Sequence, residues 1–120
     1  MCGRMRLGYA EYDRLRTVLM HAPGIELELV TPRSFRECLF GDAIDAEQFR
    51  KDHSRLIEVL RSEGVKVNLI TELLRDQPGL LKEVENLPNL VYIRDTATIT
   101  RGGYILTRMN NGGRRPGLPR

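Results

Sequence analysis

The apolar and polar positions divide the chain into a short series of elements. Val18, Leu19 and Met20 form an apolar run within residues 16–21, the mark of a buried strand, and Ala22-Pro23-Gly24 closes it with a turn. Residues 25–41 are mixed. Thr31-Pro32 reads as a helix start, because proline's missing N–H costs nothing in the first helical turn, and Phe35, Cys38 and Leu39 follow at helical spacing. That spacing makes Cys38 a small core residue rather than a reactive thiol. The strongest helix runs from Ala46 to Glu63, with Phe49, His53, Leu56, Ile57 and Leu60 on one face. Asp45 is its expected N-cap, Gln48 completes a capping-box pattern, and Gly64 is a stop signal. His53 is expected on the apolar face as a satisfied, partly buried histidine.

Val65, Val67 and Leu69 then alternate with Lys66, Asn68 and Ile70, which predicts a strand and gives the order strand, helix, strand. Thr71 is expected to cap a short helix through Leu74. Pro78 opens another that packs Leu80, Leu81 and Val84 and ends at Asn86-Leu87-Pro88. Leu90 to Thr100 is rich in β-forming residues. Arg101-Gly102-Gly103 supplies turn glycines and Tyr104 to Met109 returns, so a hairpin is expected, followed by a loosely ordered tail over residues 110–120. The pattern is that of a single α/β domain spanning residues 1–120, with β-α-β units and a hairpin.

Composition bounds the function classes. A chain of 120 residues with 41% hydrophobic and 29% charged residues is an ordinary soluble domain with a modest core. It contains no apolar run near the ~18 residues of a membrane span and no signal-peptide stretch, so a cytoplasmic protein without membrane partners is expected. Net charge is +3, and the basic residues gather only in the tail, at Arg101, Arg108, Arg114, Arg115 and Arg120. Nucleic acid is therefore not an expected partner. Cys2 and Cys38 form no CxxC pair, and His21 and His53 complete no metal-ligand spacing. No phosphate-binding or dinucleotide glycine loop occurs, and neither a metal nor a cofactor is expected.

The chemistry is concentrated in Pro88-Asn89-Leu90-Val91-Tyr92-Ile93-Arg94-Asp95-Thr96-Ala97-Thr98-Ile99, where an amide, a base and an acid interrupt a strand-forming run. On a regular strand Arg94 and Asp95 point to opposite faces, whereas Asn89 and Asp95 share one. An amide and a carboxylate on one face suit a planar cation such as a guanidinium. The plainer alternative is a solvent-facing Arg94–Asp95 pair that contributes little.

Several segments, in this order and spacing, resemble the N-terminal part of arginine deiminases and the wider guanidino-modifying (amidinotransferase) superfamily. They are Leu15 to Gly24, Glu28-Leu29-Val30-Thr31-Pro32, Leu39-Phe40-Gly41-Asp42, Asp52-His53, Leu60 to Val67, and Pro88 to Asp95. The resemblance implies the N-terminal portion of a five-fold pseudosymmetric α/β propeller around a substrate channel. It implies hydrolysis of arginine to citrulline and ammonia in arginine catabolism: a Cys thiolate attacks the guanidinium carbon, ammonia leaves, and water releases the product. By motif, Asp95 corresponds to a carboxylate holding guanidinium nitrogens and Asn89 to a substrate-contacting amide. Arg114 corresponds to an anchor for the substrate carboxylate, and Leu39 and Asp42 to a loop closing over the substrate. The family's catalytic Glu, acid/base His, second Asp and nucleophilic Cys fall downstream of these residues, and neither Cys2 nor Cys38 matches the nucleophile. The 120-residue chain alone is therefore expected to be inactive. A homo-oligomer is expected, and two alternatives stand beside this reading: a non-catalytic module that self-associates or binds a guanidino compound, and an amidinotransferase or dimethylarginine dimethylaminohydrolase type of activity.

Overall fold

A computed structural model describes residues 12–100 and 102–107. The first described strand, β1, Thr17–Met20, pairs in parallel with β2, Lys66–Leu69, in the register Thr17↔Lys66 to Met20↔Leu69. Parallel neighbours require a long crossover. Here it holds a 3₁₀ helix at Ile25–Leu29, an irregular loop, and helix α1, Ala46–Ser62. Two short helices follow β2: α2, Ile70–Leu73, and α3, Pro78–Val84. A second 3₁₀ segment, Pro88–Thr96, leads into the antiparallel hairpin of β3, Ala97–Thr100, and β4, Gly103–Leu106. Among the described residues the architecture is thus a β-α-β unit with a separate hairpin.

Helix α1 forms as its sequence dictates. The Asp45 carboxylate accepts the Gln48 N–H at 3.0 Å and caps the first turn. The Gln48 side chain does not reciprocate; it donates to Asp52 at 2.8 Å, one turn further along. At the other end Gly64 takes φ +80°, its N–H bonding the Arg61 carbonyl while the Val65 N–H reaches back to Leu60, both at 3.0 Å. That pair of bonds is a Schellman ending, which needs the left-handed region at Gly64. The helix buries His53 and Ile57, half-buries Phe49 and Leu60, and leaves Leu56 exposed. Its inner face packs on β2, and the other buried apolar residues are Leu27, Val30, Val65, Val67, Val84 and Leu87.

Three local expectations are overturned. Residues 31–40 do not form a helix from Pro32: the Ser34 and Phe35 N–H groups share the Thr31 carbonyl, Leu39 bonds Arg36, and Phe40 bonds Phe35. Spacings of three, four and five residues cannot propagate one helical repeat. Thr71 caps nothing, since α2 already begins at Ile70, directly off β2. Residues 90–96 are not strand: the segment from Pro88 closes turns, beginning with the Leu90 N–H to the Leu87 carbonyl at 2.9 Å, and kinks at Tyr92. Strand begins only at Ala97. The hairpin is present, tighter than expected, because Gly103 already pairs with Thr100. The predicted tail, residues 110–120, lies outside the described residues.

Two glycines give opposite expectations. An added Cβ at Gly64 meets no atom within 4 Å, so Gly64→Ala should destabilise only by the strain of a left-handed L-residue, about 1–2 kcal/mol. Gly79 sits in α3 with equally open space, and Gly79→Ala should stabilise by about 0.5–1 kcal/mol. Urea unfolding of the two variants beside the parent chain checks both signs.

Candidate functional site

The chain leaving β1 folds back on itself through a polar knot. His21, 1% exposed, places Nε2 2.6 Å from Oε1 of Glu26, 2% exposed. The same carboxylate oxygen accepts the Gly24 N–H at 2.8 Å. Gly24 has little room to change: a Cβ there would sit 3.1 Å from the Glu26 carboxylate. Arg50 on α1 completes the arrangement, donating from Nη1 to the Gly24 carbonyl and from Nη2 to Glu28, both at 3.0 Å. The knot thereby ties the turn after β1 to the crossover helix.

Burial alone would raise the Glu26 carboxyl. The hydrogen bonds from His21 and from the Gly24 and Glu26 backbone N–H groups outweigh it and hold the carboxyl below its ordinary range. His53 is shifted down, first by burial and then by the nearby His21 charge. Its Nδ1 and that of His21 are both buried with no hydrogen-bond partner. His53 is buried as expected, but it is not satisfied. Sequence reasoning passed over Glu26 altogether. The signal available was a histidine at a strand end, with a carboxylate five residues on across a Pro-Gly turn.

The predicted site residues are placed as follows. Asn89 is 2% exposed and donates from Nδ2 to the Cys38 carbonyl at 2.6 Å, across 51 residues of sequence. Its Oδ1 is buried with no partner. This orientation of the amide is required, since the reverse would put two acceptor oxygens in contact. Leu39, next after Cys38, is exposed and takes φ +59°, a left-handed conformation that costs a branched side chain about 1–2 kcal/mol. Phe40 then packs its ring 6.1 Å from that of Tyr92. The structure therefore brings Asn89 to the Leu39 loop. Asp42 is exposed and accepts the N–H of Ala43 at 2.7 Å, closing its own turn.

Asp95 is half-buried, and its backbone carbonyl accepts the Thr107 hydroxyl beyond β4. The carboxylate lies 3.8 Å from the Arg94 guanidinium, whose side chain is 89% exposed. The strand argument that sent Arg94 and Asp95 to opposite faces fails here. In a 3₁₀ turn neighbouring side chains diverge by about 120°, close enough for their charges to meet. The kink at Tyr92 likewise removes the shared strand face of Asn89 and Asp95. Arg114 lies outside the described residues. Cys38 is half-buried rather than core, and burial, then the Glu37 carboxylate, push its thiol up, away from a reactive thiolate. Among the described residues no group of three or more His, Cys, Asp or Glu could hold a metal ion, and no helix is long and apolar enough to cross a membrane. A surface groove along the outer side of α1 is lined by Glu47, Lys51, Asp52, Arg55 and other residues of that helix, and by none of the predicted site residues.

Comparison with known proteins agrees with the motifs. A family model described as arginine deiminase matches residues 36–80. The arginine deiminase of Rhodococcus erythropolis is 39% identical over 75 residues, 62% of this chain and 18% of that protein. That of Metamycoplasma hominis is 32% identical over 68 residues, 57% of this chain and 17% of its own length. That of Rhodococcus opacus is 37% identical over 70 residues, again 17% of its length. The chain thus resembles the N-terminal part of arginine deiminases and spans under a fifth of the length of these relatives. The family match covers the Leu39–Asp42 loop, α1 and β2, and stops short of Asn89 and Asp95.

The knot predicts a pH dependence of one sign. Unfolding returns His53 to its ordinary 6.5 and Glu26 to its ordinary 4.5, so in each window the unfolded chain binds more protons than the folded one. Stability should be lost as pH falls below 6.5 through the lowered His53 value, and lost further below 4.5 as Glu26 is protonated. In a His53→Leu chain the first stage should disappear. Urea midpoints measured between about pH 8 and about pH 4 test this, and a fold that gains stability on acidification contradicts it.

Proposed function

We propose that this chain supplies one wall of a guanidino-substrate site of the arginine deiminase type, in a hydrolase whose whole length converts arginine to citrulline and ammonia. The observation that carries the reading is the Asn89 carboxamide. Its donor is committed to Cys38, and its buried acceptor has no donor. A buried acceptor of this kind calls for a ligand that donates. A guanidinium has five N–H donors in a plane and no acceptor. The Asp95 carboxylate follows on the same segment, and a carboxylate can hold such a cation through paired, charge-assisted bonds. In this reading the Leu39–Asp42 loop covers the ligand and Arg114 anchors its carboxylate.

The surrounding fold is the first portion of the five-bladed α/β propeller, and the protein works in the cytoplasm. The nucleophile and proton-transfer groups come from outside these 120 residues, and the chain alone binds without turnover. Holding the guanidinium still would be its contribution, since attack on the guanidinium carbon depends on orientation.

A second reading has its own observation. The hairpin exposes Ile99, Tyr104, Ile105 and Leu106, and β1 pairs with β2 alone among the described strands. Apolar surface and an open strand edge favour self-association, and a homo-oligomer by light scattering is expected of this face.

Calorimetry with arginine tests the main proposal. Asp95→Asn should weaken binding about tenfold or more, the scale of one lost charge-assisted hydrogen bond, and citrulline, whose ureido group is uncharged, should bind correspondingly worse than arginine. Equal affinity of parent and variant would overturn the role of Asp95. Citrulline produced by the purified 120-residue chain would overturn its inactivity.

A further inference from the structure

Two contacts hold the loop around Leu39 to the 3₁₀ segment Pro88–Thr96, one on each side of that residue. The Asn89 amide takes the Cys38 carbonyl at 2.6 Å, and the Phe40 ring meets Tyr92 at 6.1 Å between centroids. Between them Leu39 is exposed and left-handed, at φ +59°. A leucine does not choose that conformation in a free loop. Its own backbone bond, N–H to the Arg36 carbonyl at 3.0 Å, and the Phe40 N–H bond to Phe35 at 2.8 Å accompany the conformation.

We propose that Asn89 is the latch of this loop: a positioning residue whose single donated hydrogen bond fixes the Cys38 carbonyl and so forces Leu39 into its projecting, left-handed pose. A loop held this way cannot lift from the segment carrying Asn89 and Asp95 without breaking the Asn89–Cys38 hydrogen bond and the Phe40–Tyr92 contact together. Loop position and the state of the Asn89 carboxamide are therefore one equilibrium. The latch stands on these contacts whether or not a guanidino ligand occupies the site, so its failure and that of the functional reading are separate results.

Residue-resolved hydrogen exchange on the full chain tests it. Asn89→Asp replaces the donor by an acceptor. It should speed exchange of the Leu39 and Phe40 amides about tenfold or more while leaving the amides of α1 within about twofold of the parent. Adding Leu39→Gly to Asn89→Asp removes the conformational penalty and should restore most of the lost protection. Unchanged exchange at Leu39 and Phe40, equal loss throughout α1, or no recovery with Leu39→Gly would each overturn the latch. If Asn89→Asp does not fold, the parent chain still answers. One carboxamide proton of Asn89 should exchange about tenfold or more slowly than the carboxamide of free asparagine, and equal rates would overturn the proposal.

Discussion

The hydrogen bond between His21 and Glu26 is the contact on which the described architecture leans. Both side chains are almost wholly removed from water, and neither could be so without the other. A buried carboxylate must find donors, and Glu26 finds three: the imidazole ahead of it, the Gly24 N–H and its own backbone N–H. The chain leaving β1 is thereby turned through Pro23-Gly24 into the first 3₁₀ helix. Arg50 then reads the result, bonding the Gly24 carbonyl and Glu28 from the flank of α1. The crossover helix is thus docked by the turn it crosses over, and the parallel pairing of β1 with β2 follows from that docking together with the apolar face of α1.

From this frame the candidate site is built by long-range ties rather than by one element. Asn89 and Cys38 are 51 residues apart in sequence and share a short hydrogen bond. Phe40 and Tyr92 repeat the link through their rings. The loop that would cover a ligand and the segment that would hold it are therefore one packed unit. Asp95 is secured from its other side, where Thr107, past the hairpin, takes its backbone carbonyl. These ties leave Oδ1 of Asn89 without a partner, while the Asp95 carboxylate lies beside the Arg94 guanidinium.

Where a single local signal governs, the sequence was legible. Asp45, the apolar stripe and Gly64 placed α1 nearly to the residue, Pro78 placed α3, and the alternation of Val65, Val67 and Leu69 placed β2. Where several weak signals compete, it was not. Residues 90–96 carry strand formers, yet Pro88 withdraws a backbone donor and the following turns satisfy their bonds locally, so propensity lost to turn geometry. Thr31-Pro32 resembles a helix start, but Thr31 and Ser34 spend their hydroxyls on each other and on the Leu29 carbonyl, and left-handed Leu39 ends the run. For the site, the sequence pointed to Asn89, Leu39 and Asp95 as residues. Their geometry was wrong, because a strand face was assumed where the backbone turns. The His21–Glu26 bond was missed because nothing marks Glu26 as buried; the one local cue is its spacing from His21 across Pro23-Gly24.

The central claim is that a donor-rich cation is received between the Asn89 segment and the Leu39 loop. Nuclear magnetic resonance mapping of the chain during an arginine titration tests it most directly. The account predicts saturable shifts at the Asn89 carboxamide, Leu39, Phe40 and Asp95, with the charged outer face of α1, Glu47 to Glu58, left unmoved. Shifts confined to that outer face, or none at Asn89 and Asp95 at saturating arginine, would contradict it.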